Sequence, residues 1–285
     1  MSNHRAAASI LFAAGKGSRM TEHNGNKTLL PLEPGSSPFA GKRPILLHIL
    51  GRLPPGPKAV VIHHCREEVV RATRHLDLTF CDQPSLNGTG GALLAARSFL
   101  ESVQENRILM TMGDVPFVRR ATYSALLDRL DRYPLIVLGF KPMDRKQYGV
   151  LETEGPVVRR IVEWKYWQAY SEAERELHGI CNAGIYAARR PDLLRYLEAL
   201  EKHPHIVLKE REGGTRKIQE FFITDLVELM GRDGLKTGYI LAEDETEVMG
   251  IDDSDALIKA QRVYAKRFCS AASPSPETHP GASPS

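Results

Sequence analysis

The sequence predicts an α/β fold: a mostly parallel sheet with helices on both faces. Three observations carry this reading. The short apolar runs are continuous rather than alternating, as expected of strands buried on both sides. Segments of helical period stand between them. The first run ends in a glycine loop within LFAAGKGSRM (11–20), a loop that needs a strand to hold it.

Taken in order, the strands are expected at 9–14 (SILFAA), 59–64 (AVVIHH), 76–80 (LDLTF), 107–112 (RILMTM) and 134–140 (PLIVLGF). Helices are expected between them at 44–53, 66–76, 91–103 and 122–133. The pattern changes after residue 145. YGVLETEGPVVRRIVEW reads as two strands around Glu154-Gly155, a hairpin, and GICNAGIYAA as another strand. Helices follow at about 191–201, 217–230 and 254–268. The segment 31–44, rich in proline, glycine and serine, reads as a loop. The low-complexity tail SAASPSPETHPGASPS reads as disordered. No internal repeat is present, and in particular no six-residue β-helix repeat.

The composition excludes several classes. The chain has 285 residues, of which 42% are hydrophobic, enough for a sizeable core. Lysine and arginine exceed aspartate and glutamate by 38 to 35, and they are scattered, which argues against a nucleic-acid partner or a membrane surface. AAASILFAA after Arg5 imitates a secretory segment, but it is short and runs into the glycine loop, so it is read as a strand. No apolar run approaches the roughly 20 residues that span a bilayer. Cys65, Cys81, Cys181 and Cys269 form no CxxC pair, which argues against zinc and for reduced thiols in the cytoplasm.

A glycine loop at the carboxyl end of a buried strand suits an anion, because glycines let backbone N–H groups close on phosphate. Lys16, Arg19 and Lys27 add charge. Gly15-Lys16-Gly17-Ser18-Arg19-Met20 fails GxGxxG at its sixth position, and no stretch supplies GxxxxGK[ST]. The loop alone leaves both phosphate binding and an ordinary turn with solvated bases open.

The rest of the chain resembles the sugar-1-phosphate nucleotidyltransferases. LFAAGKGSRM followed by Lys27 resembles their signature, and QPSLNGTGGALLAA (83–96) the base-reading segment of the bacterial N-acetylglucosamine-1-phosphate uridyltransferases. TMGDVPF (111–117), YGVLETEGPVVRRIVEWK (148–165), CNAGIY (181–186), FFITDL (221–226) and VMGIDD (248–253) are similar to later segments, in the same order. The similarity spans about residues 8–265. It implies a Rossmann-like nucleotidyltransferase fold over 5–268, with a smaller sugar-binding subregion, followed by the tail 270–285. Many members carry an acetyltransferase β-helix next; that half is absent from this sequence, so no acetyl transfer is expected.

The resemblance implies transfer of a uridylyl group from UTP to a sugar 1-phosphate, with release of pyrophosphate. The nucleophile is already an anion, so the protein must align groups and neutralise charge. By resemblance, Phe12, Ala13, Ala14 and Gly15 hold the nucleotide, Gly17 extends the turn, and Arg19 and Lys27 bind phosphates. Arginine forks onto oxygens while lysine acts as a point charge. Gln83 and Gly88 match the uracil-reading pair, and Thr89 and Gly113 complete the nucleotide side. Gly149, Glu163, Asn182 and Thr224 match sugar-side positions, where carboxylates and amides bond hydroxyls. Asp114 and Asp252 match Mg²⁺ ligands; Mg²⁺ takes one or two carboxylates plus substrate phosphates.

Competing structural roles are plain. Asp114 suits a turn before Pro116. Asp252 suits a helix cap, although Asp253 or Ser254 can cap while Asp252 faces a metal. Asp225 reads as an N-cap. His63-His64 reads as structural, and Trp164, Tyr166, Trp167 and Tyr170 as packing under a lid. Met112 stands where relatives often have an aromatic residue, and the 163–182 and 31–44 stretches are expanded. These departures surround the sugar pocket, so the resemblance speaks more to uridylyl transfer than to the sugar: N-acetylglucosamine 1-phosphate is the expected acceptor, with another sugar or alcohol phosphate, or CTP, as the enzymatic alternative. A nucleotide-binding regulatory protein is the non-enzymatic one.

Overall fold

The computed structural model describes residues 6–269 except 18, 21, 212 and 213. The expected tail 270–285 lies outside them. β1 (Ala8–Phe12) is fully buried and pairs in parallel with β4 (Lys58–Ile62) on one side and β6 (Arg107–Met112) on the other. β5 (Thr79–Asp82) extends the sheet beyond β4. On the other flank follow β10 (Cys181–Arg189), β7 (Leu135–Phe140), β13 (Thr237–Leu241), β9 (Val157–Val162) and β8 (Val150–Glu154). β10 runs antiparallel to both β6 and β7, whereas β7 and β13 are parallel. β8 and β9 form the expected hairpin, turning at Gly155, and β8 also pairs with the start of β10 through Val150 and Cys181.

Alternate residues of β1 enter opposite cores. Leu11 faces a cluster with α1 (Ile45–Leu50), α5 (Arg120–Arg129) and α10 (Ser254–Tyr264). Ile10 and Phe12 face a second, with α3 (Gly88–Ala95), α4 (Arg97–Ser102), α8 (Arg190–Glu201) and α9 (Asp225–Arg232). Each such buried side chain contributes about 1.5–3 kcal/mol, which is why the continuous apolar runs end up central. α2 (Arg66–Thr73) follows β4, and β5 lies slightly later than expected, because Leu76 and Leu78 precede the paired segment. The expected 91–103 helix breaks at Ala96, which leaves helical geometry at φ −88°, ψ 7°.

Three expectations are corrected. Segment 31–44 is not a loop but a two-stranded ribbon, β2 (Pro31–Ser37) and β3 (Ala40–Pro44). Its prolines sit at a strand end and beside a register shift, where a missing N–H breaks no ladder. The expected 217–230 helix begins only at Asp225; before it, β11 (His205–Arg211) and β12 (Gly214–Glu220) form a hairpin. Phe221 is held extended because its N–H donates to Asn87 O (2.9 Å) and its carbonyl accepts from Gly90 N–H (2.8 Å). The final helix ends at Tyr264, and residues 265–269 form a π-helical turn. The sequence reading also omitted β13 and two short helices, α6 (Trp164–Trp167) and α7 (Glu172–Leu177), the latter opened by a Ser171–Glu174 capping box.

Candidate active site

β1 ends at Phe12, and the chain turns across the carboxyl edge of the sheet as Ala13-Ala14-Gly15. Phe12, Ala13, Ala14, Gly15 and Lys27, with Gln83, Gly88, Thr89 and Asp114, line a cavity of about 290 Å³. Gly17 takes a left-handed φ of 62° beside the Lys27 side chain. Gly113 donates its N–H to Phe12 O at 3.0 Å, and a Cβ there would come within 2.9 Å of that oxygen. Glycine therefore lets the β1 and β6 ends close side by side.

Of the base-reading candidates, Gln83 follows β5, and its backbone accepts from His63 Nδ1 at 2.7 Å. Its side-chain Nε2 donates to Asn87 Oδ1 (2.9 Å) and Gly88 O (3.2 Å). Both amide hydrogens are thus committed inside the loop, and the side chain can offer a ligand only its carbonyl oxygen. Gly88 has φ 93° and lies so close to Phe221 that a Cβ would sit 2.3 Å from its carbonyl. Only glycine permits this approach.

Asn26 was missed by sequence reading and is central. Fully buried, it donates to Ala13 O (3.2 Å) and His64 O (2.8 Å), and its Oδ1 accepts from the backbone (3.0 Å) and hydroxyl (2.7 Å) of Thr28. It ties the helical turn bearing Lys27 to the glycine loop. Nothing in the sequence marks it except its place before that turn.

Lys27 then reaches Asp114 and, at 3.0 Å, Asp252 Oδ1. Burial pushes the Lys27 pKa down, but the two carboxylates push it up further, so it is raised overall and the ammonium stays charged. The exposed Arg19 reaches the other oxygen of Asp252 at 3.3 Å. Asp253, not Asp252, caps α10 by accepting from Ala256 N–H at 2.8 Å, leaving Asp252 to face the cations.

A second cavity, of about 230 Å³, adjoins the first and shares Thr89, Met112 and Asp114 with it. The sugar-side candidates Gly149, Glu163, Asn182 and Thr224 all line it, together with Asp252. Thr224 stands at the N-cap position of α9 but does not cap; its hydroxyl donates to Glu163 Oε1 at 3.0 Å. Burial raises the Glu163 pKa against the pull of that hydrogen bond. Asn182 Oδ1 accepts from Gly184 N–H (3.0 Å) and its amide donates to Tyr186 (2.7 Å), fixing its orientation. Asp225 is not a cap: it is the first residue of α9 and bonds His205 Nε2 at 2.9 Å. Of the aromatic run, Trp167 is buried and donates to Tyr148 O at 2.8 Å, a packing role, while Tyr166 is exposed. Gln147, Tyr148, Gly184 and Tyr186 also line this cavity and were not singled out from sequence as site residues.

No group of three or more His, Cys, Asp or Glu side chains that could hold a metal ion is present among the described residues. Asp114 and Asp252 nevertheless converge on one ammonium, so their oxygens already share a cation position. Two carboxylates without a full cage are what a Mg²⁺ carrying phosphates requires. The described residues include no helix long and apolar enough to cross a membrane, and Cys65, Cys81 and Cys181 are free thiols.

Residues 9–207 match the family model described as the MobA-like NTP transferase domain. The Bifunctional protein GlmU of Novosphingobium aromaticivorans is 34% identical over 272 residues, covering 93% of this chain and 54% of that protein. That of Sphingopyxis alaskensis is 34% identical over 260 residues, covering 89% and 51%. The chain therefore spans about half the length of the curated relatives it matches. Among solved structures, a putative UDP-N-acetylglucosamine pyrophosphorylase from Entamoeba histolytica superposes with TM-score 0.69 at 14% identity, covering 92% of this chain and 81% of that one. A uridine diphosphate N-acetylglucosamine pyrophosphorylase from Trypanosoma brucei gives 0.70 at 12%, covering 92% and 66%. At these identities the two structures speak to the fold.

Proposed function

Because the chain belongs to the family of MobA-like NTP transferase domains, it is a nucleotidyltransferase, and we propose that it transfers a uridylyl group from UTP to a sugar 1-phosphate, N-acetylglucosamine 1-phosphate above all. The observation that carries this reading is the seam between the two cavities. Asp114 lines both, Lys27 lines the first, Asp252 lines the second, and the three side chains are joined there.

In this reading an oxygen of the sugar phosphate attacks the α-phosphorus of UTP. A new P–O bond forms, the bond to the β-phosphate bridging oxygen breaks, and pyrophosphate leaves with the electron pair. No proton needs to be taken from the nucleophile. The glycine loop and Gly113 seat the nucleotide, and Arg19 and Lys27 meet the phosphate charge. Fixed cations at the position where charge shifts are the largest contribution such a site makes. Asp114 and Asp252 would hold Mg²⁺, which when bound neutralises phosphate oxygens.

Base choice follows from the Gln83 amide. With both hydrogens committed, its oxygen accepts, and uracil N3–H donates. The corresponding ring nitrogen of cytosine is an acceptor and meets it oxygen to lone pair. On the sugar side, Glu163 accepts hydroxyl hydrogens, and Gly149, Asn182 and Thr224 shape the rest. The free thiols Cys65, Cys81 and Cys181 and a UTP-consuming reaction support a cytoplasmic reading.

The test is a pyrophosphate-release screen of four nucleoside triphosphates against a panel of sugar 1-phosphates. UTP with N-acetylglucosamine 1-phosphate is expected to give the highest kcat/KM. Preference for CTP or dTTP would overturn the base assignment, and preference for another acceptor the sugar.

A further inference from the structure

Glu247 is a carboxylate with no exposed surface. Three groups at the start of α5 donate to it: the Arg119 backbone N–H (3.1 Å), the Arg119 guanidinium (2.6 Å) and the Thr122 hydroxyl. The Glu243 N–H adds a fourth contact at 3.4 Å, and Arg119 also pairs with Glu243. The turn 243–248 is thereby clamped to the start of α5. Burial opposes the charge on Glu247, but the donors from Arg119 and Thr122 outweigh it and hold its pKa below the ordinary value.

The clamp stands where two short arms begin. Five residues before Arg119 is Asp114, and five residues after Glu247 is Asp252. The arms are tied once more, by Ile251 N–H donating to Asp114 O at 3.0 Å. Val115, Phe117 and Val118 on one arm and Val248 and Ile251 on the other are buried, so neither arm is free to flex. A mere packing contact needs no charge here; an apolar pair of similar volume commonly does as well or better for stability. What several donors on one carboxylate add is a fixed register between the two segments.

We propose that Arg119 and Glu247 are a positioning pair that sets the separation of Asp114 and Asp252, and so tunes cation binding and turnover without either residue touching a substrate. This rests on the proposed reading in assigning the two aspartates to a cation site. It extends that reading to residues on the far side of both arms.

The test compares the full chain with Glu247→Gln, Arg119→Lys and the apolar double variant Arg119→Met/Glu247→Leu. Three quantities are measured: melting temperature, Mn²⁺ binding without substrate by electron paramagnetic resonance, and kcat and KM. The double variant is expected to melt within a few degrees of the parent, yet to bind Mn²⁺ about tenfold more weakly and lose about tenfold or more in kcat. KM for the nucleotide should change less than twofold, because Gln83 and Gly88 are untouched. Arg119→Lys should recover part of the loss, since it keeps the charge but not the fork. Unchanged Mn²⁺ affinity and kcat in a folded double variant would overturn the proposal and leave a structural staple. If the double variant fails to fold, Glu247→Gln, which keeps the size and one acceptor, decides by the same readouts. Failure of the transferase reading looks different: no pyrophosphate release from the parent with any pair of substrates, while Mn²⁺ affinity still tracks the clamp.

Discussion

Lys27 and Asp252 stand 225 positions apart in the chain and meet at 3.0 Å, with Asp114 on the same ammonium. One lysine thus holds together carboxylates from two remote segments. Lys27→Met leaves them facing each other with no cation between. Turnover is expected to fall about a hundredfold or more, the usual cost of removing charge stabilisation at a reacting group. The melting temperature in EDTA should also fall, and Mg²⁺ should raise it more than in the parent, since the metal no longer competes with the ammonium. Scanning fluorimetry with and without Mg²⁺ checks this; an unchanged Mg²⁺ response with near-normal turnover would make Lys27 a bystander.

Asp252 separates cation binding from helix capping, because Asp253 makes the cap. Asp252→Asn keeps an oxygen but not the charge, and should retain much of the maximal rate while requiring more Mg²⁺. Asp252→Ala should lose activity that added Mg²⁺ restores poorly. Mg²⁺ titrations of the three proteins decide, and identical curves would reject a ligand role.

Gln83→Ala removes the oriented acceptor together with two hydrogen bonds inside the loop. The KM for UTP should rise about tenfold, the equivalent of about 1.4 kcal/mol. The preference for UTP over CTP should shrink, measured as the ratio of kcat/KM values. An unchanged ratio would place base selection elsewhere.

Much of this arrangement was legible in the sequence. Continuous apolar runs located the central strands, because burial on both faces leaves no choice of residue. The ordered motifs located residues that the fold gathers around two cavities. Other parts were not legible, for physical reasons. Ile218, Phe221, Phe222 and Leu226 fit a helical period, yet the backbone of Phe221 is claimed by Asn87 and Gly90, a tertiary bond no local pattern announces. Thr224 and Asp225 have the composition of a cap, but Glu163 and His205 take their side chains. Asn26 and Glu247 are buried polar residues that depend on partners far along the chain, His64 for the first and Arg119 and Thr122 for the second.

His48 offers a test of stability against pH. It is enclosed by Phe117, Tyr264 and Phe268, and its buried Nε2 has no hydrogen-bond partner among the described residues. Burial, then the charges of Arg52 and Arg43, lower its pKa from 6.5 to about 4. The folded protein therefore keeps His48 neutral while the unfolded chain takes up a proton near 6.5. Its contribution is complete above that pH and is lost as pH falls toward 4. The loss is on the order of 3 kcal/mol. Urea unfolding of the parent and of His48→Phe at several pH values between these limits should show a shallower decline in the variant. Parallel curves would mean that other groups set the acid limit.

β10 runs against β6 and β7, and this has an evolutionary consequence. Because it is reversed between β6 and β7, it starts, rather than ends, where they finish: Cys181 pairs with Phe140, the last residue of β7. The connection from β9 to β10 thus begins and ends at the second cavity, which Glu163 and Asn182 both line. That connection can lengthen, shorten or exchange its residues without shifting the register of any strand. The glycine loop has no such freedom, since it is bound on both sides by β1 and the turn of Lys27. The fold therefore sets a loop held against the sheet beside a connection whose length no strand register fixes. Under the proposed function this connection is where acceptor range is free to diversify, and the aromatic helix α6 and the charged helix α7 lie in it.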